Sequence, residues 1–488
     1  MHSVPQIDRS AGIPGAERMS GPDALMLNME STSNPMHTLK VAVLDTARRG
    51  RPLDLTEIAD VLPDHLGLFP RATQRLAWVR GHGARPFWVR DNDFDVANHL
   101  DERWATAPGG RGELDEILSD LAVRQLDRSR PLWGLTLVHG LADGRQAVVV
   151  RVHHAVADGL AALNTFMAAT AGPDERVGGA PIDPTPIDLT PIDYDEQELA
   201  RAARSDSWRM VRGLPSAASA LARAFSAKRR AGNAELIPKP LTVRRTSFNA
   251  RSGTERVCAS GDMPLAAVQR LALATGTTVN GALHGVIAGA IRAELIARGE
   301  EPGVAVSIFG VCRDLASTRV HGNEIATAMA YLRSDLADPV ERIAATGESC
   351  AATVQRRREV GFELTEALAT YTGRLGPVFR GVAANRIPVV MNNITTANMP
   401  GPRTTRWVGD IEVVDWISFA LAIAPADVNL TTYSYAGRLS MGLIATPESM
   451  PDPARFLRRV ADAVVEAADA LERSTVDVDD TAMAQEAS

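Results

Sequence analysis

The segment VVVRVHHAVADGLAA, residues 148–162, places two adjacent histidines between a run of β-branched residues and a helical pattern. Residues 147–152 predict a buried strand, and the spacing of apolar residues from Leu160 to Ala171 predicts a helix. The chain must turn between them, close to Asp158 and Gly159. This junction predicts a mixed α/β fold with polar side chains gathered where the strand ends.

The two histidines are expected to differ. Successive strand side chains point to opposite faces, so His153 and His154 should not bind one metal ion. No cysteine or second histidine cluster lies nearby to complete a metal site. We interpret His153 as a buried ring with its polar atoms satisfied. His154 lies four residues before Asp158, so its ring can enter a cleft, where a neutral imidazole is suited to take a proton from a hydroxyl group.

Composition narrows the class of protein. The 488 residues, 45% of them hydrophobic, are enough for two large subdomains. Three scattered cysteines, Cys258, Cys312 and Cys350, give no disulfide framework and favour a reducing compartment. No apolar run approaches the roughly 20 residues of a membrane span, and the N-terminus lacks an apolar signal core. A net charge of −7 disfavours nucleic acid as a partner. We therefore expect a cytoplasmic protein.

Strand-like and helical patterns alternate along most of the chain. The predicted strands are residues 39–44, 135–139, 147–152, 304–309, 389–394 and 430–435, and the predicted helices are 113–126, 160–171, 265–275, 279–298 and 453–471. We predict disorder at residues 1–20 and 474–488. The predicted organisation is an N-terminal subdomain at 21–172, a linker with a basic helical segment at 173–239, and a C-terminal subdomain at 240–473.

The linker region has two distinct parts. Residues 181–193 repeat Pro-Ile-Asp three times, which is typical of an extended linker. Residues 199–230 then carry eight Arg or Lys against one acid, with Leu214, Ala218, Leu221 and Phe225 on one helical face. We expect Pro215 to divide this segment into two helices. A basic amphipathic stretch can rest on an anionic membrane surface; alternatively, its apolar face packs on the protein itself.

The motifs together resemble a known family. His153, His154, Asp158 and Gly159 fit the HHxxxDG signature of CoA-dependent acyltransferases. Further segments resemble the bacterial wax ester synthase/diacylglycerol acyltransferase family, in the same order along the chain: residues 21–45, 86–100, 126–141, 277–292, 398–403 and 433–443. On these motifs the chain is identified as a member of that family from about residue 22 to residue 471.

The resemblance implies two chloramphenicol-acetyltransferase-like subdomains, with mixed sheets flanked by helices, joined by a linker and enclosing the active site in a tunnel between them. It implies transfer of a long acyl chain from acyl-CoA, a substrate rather than a cofactor, to an alcohol. The acceptor is usually diacylglycerol, giving triacylglycerol; in some members it is a fatty alcohol, giving a wax ester. Such substrates suggest peripheral contact with the inner face of an anionic membrane or with lipid droplets.

The resemblance also assigns roles to residues. His154 is the general base, and no metal or acyl-enzyme is required. Asp158 pairs with an arginine, for which Arg75 is the candidate, and Gly159 allows strand and helix to pack closely. Asn280 positions the acyl group or the developing oxyanion; alternatively, it caps a helix. Relatives carry Asp where this chain has Gly281, so we expect Gly281→Asp to keep or raise activity.

Two other functions stay open. A condensation-type amide synthase is disfavoured because no carrier-protein domain accompanies the chain and the flanking motifs differ. A lipid-binding relative with little turnover is favoured slightly by Gly281 and by Thr73, which stands where arginine is expected. The complete motif at 153–159 favours an enzyme more strongly.

Overall fold

The computed structural model describes residues 13–80, 85–173, 189–230, 235–239, 242–250, 253–362, 369, 390–424 and 426–486. The described elements of the first half are β1 (Ala16–Arg18), α1 (Gly21–Met29), β2 (His37–Asp45), α2 (Leu55–His65), β3 (Gln74–Ala77), β4 (Phe87–Arg90), β5 (Leu100–Trp104), α3 (Arg111–Val123), β6 (Trp133–His139), β7 (Gln146–His153) and α4 (Gly159–Ala168). Those that follow are α5 (Glu196–Arg230), β8 (Val257–Pro264), α6 (Leu265–Ala274), α7 (Val279–Ala297), β9 (Ala305–Cys312), β10 (Ile325–Leu332), α8 (Pro339–Val360), β11 (Ile394–Met399), β12 (Arg406–Val408), β13 (Ile411–Phe419), β14 (Val428–Tyr435), β15 (Arg438–Ala445) and α9 (Pro453–Glu486).

The described strands form two six-stranded mixed sheets and one small sheet. The first large sheet has the order β12-β13-β2-β7-β6-β5, the second has the order β10-β9-β11-β14-β15-β8, and the small sheet has the order β1-β4-β3. Helices pack on both large sheets, with α3 on the first and α7 and α9 in the core of the second. The predicted mixed α/β class, with two sheet-rich halves, is confirmed.

The second half of the chain contributes to the first sheet. Strand β13 pairs antiparallel with β2, and β12 pairs with β13, although both lie within the predicted C-terminal subdomain at 240–473. Ile417 and Phe419 of β13 are buried in the same cluster as Leu39 and Val41 of β2. The exchanged strand covers an edge that β2 would otherwise expose. The predicted boundary at residue 240 therefore does not coincide with the division between the two large sheets.

Both predicted disordered ends are wrong in part. Residues 13–20 are ordered because β1 pairs with β4 and because Met19 is fully buried, its carbonyl accepting two hydrogen bonds from Arg85 at 3.0 and 2.7 Å. At the other end α9 continues to Glu486. Residues 474–486 contain neither glycine nor proline, so nothing in that stretch stops the helix. Residues 1–12 and 487–488 lie outside the described residues.

The predicted division at Pro215 is also wrong, because α5 is one helix from Glu196 to Arg230 with Pro215 inside it. A single proline removes one backbone hydrogen bond, and the surrounding Ala, Arg and Leu residues favour helix strongly enough to continue past it. The start of α5 packs on the protein itself, since Leu199 and Ala203 are buried against the small sheet. Residues 174–188, which hold part of the Pro-Ile-Asp repeat, lie outside the described residues.

Helix α4 joins the two large sheets. Its residues Leu160, Leu163 and Phe166 are buried in one cluster with Trp416 of the first sheet and Tyr433 of the second. The rings of Phe166 and Trp416 stack with centroids 3.9 Å apart. Each buried side chain of this size contributes about 1.5–3 kcal/mol by leaving water. The packing of α4 therefore fixes the turn that precedes it, residues 154–158, between the two sheets.

Candidate active site at the end of a central strand

The segment that contains the two adjacent histidines forms a strand, a turn and a helix. Strand β7 ends at His153, whose partner in register is His37 on β2. Helix α4 begins after Asp158, whose Oδ1 accepts hydrogen bonds from the backbone N–H groups of Leu160 and Ala161 at 3.1 and 3.0 Å. Aspartate is a favoured residue at this capping position because its carboxylate satisfies N–H groups that have no partner within the helix. The local sequence therefore dictates where the turn lies.

His153 is completely buried beside a carboxylate. Its Nδ1 accepts a hydrogen bond from the Ala155 N–H at 3.0 Å, which leaves Nε2 facing the Glu30 Oε1 atom at 3.6 Å. Arg128 donates to the other oxygen of Glu30 at 2.6 and 2.8 Å. Burial by itself raises the pKa of Glu30, but the His153 and Arg128 side chains outweigh it and lower that pKa to about 2. These contacts give His153 a structural position.

His154 is held from one side of its ring. Its Nδ1 lies 2.9 Å from Oδ1 of Asn323, while the Asn323 amide donates to the His154 carbonyl at 2.6 Å and to Asp23 Oδ1 at 2.7 Å. Because the Asn323 amide nitrogen is the donor in both of those bonds, its oxygen is left as an acceptor, so Nδ1 of His154 carries the proton. Nε2 is then left with a free lone pair, the form that a general base requires.

The surroundings of His154 keep its ring neutral. Burial lowers the pKa of His154, and the nearby Lys40 ammonium lowers it further, whereas the charge of Asp158 acts in the opposite direction. The residue is nevertheless not sealed, since it retains partial exposure. A neutral imidazole that is enclosed but accessible can accept a proton from a bound hydroxyl group at neutral pH.

Asp158 pairs with Arg319, not with the predicted Arg75. Asp158 Oδ2 forms an ion pair with Arg319 Nη2 and accepts from the Glu324 N–H at 2.9 Å. Arg75 lies on β3 of the small sheet, where its Nε is 3.7 Å from Asp91 and its Nη2 donates to Tyr194 at 3.2 Å. The prediction is wrong because pairing with β4 fixes Arg75 in that sheet, whereas the loop between β9 and β10 carries Arg319 to the turn.

Gly159 is a point of close approach. The hydroxyl of Tyr433, on β14 of the second sheet, donates to the Gly159 carbonyl at 2.9 Å. A Cβ atom at residue 159 would lie 3.2 Å from that hydroxyl oxygen. Glycine therefore allows the first turn of α4 to pack directly against the second sheet, which agrees with the packing role expected for this position.

Asn280 lies at the start of α7 and contacts the second sheet. Thr278 caps this helix by accepting from the Gly281 N–H at 3.0 Å, so the alternative of Asn280 as the cap is wrong. Asn280 Oδ1 lies 3.4 Å from the Asn398 amide, and Asn398 Oδ1 accepts from Thr432 at 3.0 Å. These contacts do not include His154. A role for Asn280 in positioning the acyl group stays a prediction.

Gly281 lies where α7 closely approaches α8; the expectation that Gly281→Asp keeps or raises activity stays a prediction. A Cβ atom at residue 281 would lie 3.0 Å from the Cα atom of Gly347 on α8 and 2.4 Å from the Thr277 hydroxyl oxygen. The Gly347 backbone cannot yield as a flexible side chain can. We therefore expect substitution at residue 281 to cost stability, whatever its effect on catalysis.

Sequence reasoning missed four residues of the site: Asp23, Lys40, Arg319 and Asn323. Asp23 is buried, and burial raises its pKa to about 6 against the hydrogen bonds of Asn323 and Ser20, which lower it. Two of the four lie in segments that the resemblance had singled out, Asp23 and Lys40 in residues 21–45, but their roles depend on partners far away in sequence. Among the described residues, no cluster of three or more His, Cys, Asp or Glu side chains is arranged to hold a metal ion.

Comparisons with known proteins identify the family. Residues 19–283 match the model of the wax ester synthase/diacylglycerol acyltransferase catalytic domain, and residues 321–467 match the model of the C-terminal domain of the same family. A Mycobacterium tuberculosis protein provisionally named a diacylglycerol O-acyltransferase is 28% identical over 90% of this chain and 92% of its own. A second such protein is 29% identical over 88% and 92%.

Solved structures are similar in fold. The wax ester synthase/diacylglycerol acyltransferase of Marinobacter aquaeolei VT8 covers 93% of this chain and 99% of its own, at 22% identity and a TM-score of 0.68. The trichothecene 15-O-acetyltransferase of Fusarium sporotrichioides covers 95% and 98%, at 12% identity and a TM-score of 0.60. Both likenesses extend over nearly the whole chain and support the predicted fold class.

Proposed function

Because this chain belongs to the wax ester synthase/diacylglycerol acyltransferase family, we propose that it makes triacylglycerol by transferring a long acyl chain from acyl-CoA to diacylglycerol, with His154 as the general base. The chain is an O-acyltransferase; the acceptor and the role of His154 are the proposal. One observation carries the assignment of the base: Asn323 binds the protonated Nδ1 of His154, which leaves Nε2 unprotonated.

The chemistry needs a base because an alcohol is a weak nucleophile at neutral pH. His154 Nε2 takes the hydroxyl proton as the alcohol oxygen attacks the thioester carbonyl, an effect typically worth about 10²–10⁴ in rate. The carbon–sulfur bond then breaks, its electrons go to sulfur, and the imidazolium returns the proton to the CoA thiolate. Asp158 is committed to Arg319 and to the cap of α4, so it holds the turn and takes no proton in this scheme.

The relatives, rather than the site, indicate the acceptor alcohol, because the residues around His154 surround the reacting atoms and not the acceptor tail. The names of the mycobacterial relatives favour diacylglycerol. A fatty alcohol is the second candidate, since the family includes wax ester synthases. A lipid-binding protein with little turnover is disfavoured by the intact network that orients His154.

A direct assay decides among these functions. The full-length protein is given palmitoyl-CoA with diolein, with hexadecanol, or with no acceptor, and thiol release and lipid products are measured. We expect palmitoyl-dioleoylglycerol to form with diolein at a higher kcat/KM than the wax ester forms with hexadecanol. The reverse order would assign a wax ester synthase. Binding of acyl-CoA without release of thiol under any of the three conditions would contradict acyltransferase activity.

We propose further that α5 brings the protein to an anionic lipid surface, since diacylglycerol and fatty alcohols, the candidate acceptors, do not dissolve in water. Among the described helices, none is long and apolar enough to span a membrane. On the outward face of α5, Trp208 and Val211 are exposed at 67% and 50%, while Leu199 and Met210 on the opposite face are buried. The two interpretations of this segment therefore apply to its two faces.

Charge on the same outward face suits anionic lipid. Arg201, Arg204 and Arg212 are exposed and flank Trp208 at helical spacing. Each cation near an anionic leaflet contributes about 1 kcal/mol of attraction, which salt screens. Replacing these three arginines by Gln should weaken sedimentation with anionic liposomes at low salt, whereas the same change at exposed Arg124, Arg130 and Arg270 should not. Equal binding by both triple variants would reject this surface.

A further inference from the structure

The chain contains only three lysines among its 52 basic residues, and one of them, Lys40, is buried inside the protein. Lys40 lies on β2 between Val150 of β7 and Ser418 of β13. Its amine donates a hydrogen bond to Ser418 Oγ at 2.5 Å and lies 5.5 Å from the ring centroid of Tyr433. Within the described part of the chain, no carboxylate forms an ion pair with this amine.

The direction of the side chain places its charge beside the candidate active site. Leu39 and Val41 of β2 face the cluster that contains α3, whereas Ala42 and Leu44 face the cluster that contains α4. Because strand side chains alternate, Lys40 faces α4 and the space between the two large sheets. The hydroxyl group of Tyr433, whose ring lies near the amine, donates a hydrogen bond to the carbonyl of Gly159, the first residue of α4.

The ammonium is not neutralised by its surroundings. The negative charge that acts on this ammonium is that of Asp158, which already accepts bonds from Arg319, from Glu324 and from the first turn of α4. A buried cation with one hydroxyl partner is costly unless an anionic group completes its environment. In acyl transfer, the group that becomes negative is the thioester, first at its oxygen and then at its sulfur.

We propose that the Lys40 ammonium stabilises the negative charge that develops on the thioester when the alcohol attacks at His154. Lys40 forms no covalent bond and keeps its three protons throughout. The oxygen–carbon bond forms, the carbon–sulfur bond breaks with its electrons going to sulfur, and the proton passes through His154 to the thiolate. The inference rests on the proposed function only in requiring acyl transfer at this site. A preorganised charge of this kind lowers the barrier because it needs no reorganisation during the reaction.

The groups around Lys40 make its role testable by pH. The polar, charged and titratable groups in contact with Lys40, or within electrostatic reach of it or of its neighbours, are Ser418 on β13, Tyr433 on β14, Cys312 on β9, Asp158 with its partner Arg319, and His154. Burial lowers the pKa of Lys40 to about 8, raises the pKa of Cys312 to about 11, and raises the pKa of Tyr433 further. Lys40 is therefore the first of these groups to lose a proton as the pH rises above neutrality.

The test compares wild type with Lys40→Met and Lys40→Arg, using palmitoyl-CoA and the better acceptor between pH 6 and pH 9.5. We expect the wild-type kcat to fall as the pH rises through about 8, the pKa of Lys40. We expect Lys40→Met to lower kcat at pH 7 by about tenfold or more, with little change in KM and without the alkaline decline. Lys40→Arg should keep activity into the alkaline range, because guanidinium does not lose its proton there.

Two controls separate this effect from folding. Replacing a buried charge by an apolar side chain of similar length is often neutral or stabilising, so the melting temperature of Lys40→Met should not fall. Lys239→Met, at an exposed lysine, should behave as wild type. A Lys40→Met enzyme with wild-type kcat at pH 7, or with the alkaline decline intact, would overturn the inference. Failure of the wild type to transfer acyl groups to any alcohol would instead overturn the proposed function.

Discussion

His153 and His154 are neighbours in sequence but lie in opposite environments. The His153 ring is fully buried; its Nδ1 accepts a hydrogen bond from the Ala155 N–H, and its Nε2 faces Glu30. The His154 ring is bound at one nitrogen only, by Asn323, and keeps partial exposure. The difference arises because β7 ends between them: the first side chain still belongs to the sheet, and the second belongs to the turn. One ring therefore stabilises the junction, and the other is available for chemistry.

The carboxylates beside the two rings differ in the same way. Glu30 contacts His153 directly and is anchored by Arg128. Asp158 affects His154 only through its charge, since its oxygens are occupied by Arg319 and by backbone N–H groups. The direct partner of His154 is a neutral amide. The arrangement thus differs from a catalytic triad, in which a carboxylate binds the catalytic imidazole directly.

The largest effect expected from this comparison is on catalysis at His154. His154→Ala should lower kcat by about 10²–10⁴, because the proton acceptor for the attacking alcohol is removed. The fold should survive, since the ring makes a single side-chain hydrogen bond, to Asn323. Thiol release with saturating acceptor measures the rate, and circular dichroism checks the fold. A variant that retains more than a tenth of wild-type turnover would exclude His154 as the base.

The next largest effect is on stability at the turn. Asp158→Asn should destabilise the fold by up to about 3–5 kcal/mol, because the largely buried Arg319 loses its close partner and keeps only the partly exposed Glu324, 3.7 Å away, as an opposite charge. Asparagine still caps helices well, so the change isolates the ion pair from the cap of α4. Urea unfolding measures the loss, and the double variant with Arg319→Met should recover part of it. A stable but inactive Asp158→Asn protein would instead indicate a direct role of Asp158 in catalysis.

These partners show what the sequence could and could not predict. Strand β7, the turn at Asp158 and helix α4 were predictable because each depends on residues within about ten positions, through apolar periodicity and capping. Arg319 and Asn323 were not predictable from pattern, since they lie 161 and 169 residues away from Asp158 and His154. Nothing local distinguishes Arg319 from Arg75, and only the folded chain decides which of them reaches Asp158.

The pairing of strands between the two halves likewise depends on contacts between residues far apart in sequence. The order of apolar runs predicted two halves, each with strands and helices. The sequence pattern did not predict that β13, from the second half of the chain, pairs with β2 of the first sheet. A buried strand shows the same alternation of residues in either sheet, so the pattern does not indicate its partner. Gly281 is a further case, since the lack of space for a side chain there depends on the approach of α8, which local sequence does not reveal.

A smaller effect is expected when the orientation of His154 is loosened. Asn323→Ala removes the acceptor for Nδ1–H, so the imidazole can rotate or change tautomer, and kcat should fall by roughly tenfold, a part of the full contribution of the base. Asp23→Asn, one bond further away, should have a weaker effect because Asn323 keeps its bonds to His154. Steady-state kinetics would show the loss in kcat with little change in KM. Equal losses in both variants would mean that Asp23 acts on the substrate by another route.

The smallest effect is expected at the sealed ring, and it appears in stability rather than turnover. His153→Ala should cost about 1–3 kcal/mol, because it leaves the Ala155 N–H without its acceptor and leaves the buried Glu30 with Arg128 alone. The cost should depend on pH. The pKa of Glu30 is lowered to about 2 in the folded protein from its ordinary 4.5, so its contribution is present above pH 4.5 and is lost as the pH falls toward 2. The free energies of unfolding of wild type and Glu30→Gln should therefore converge as the pH is lowered from 6 to 3. A gap that stays constant over that range would show that Glu30 does not stabilise the junction through its charge.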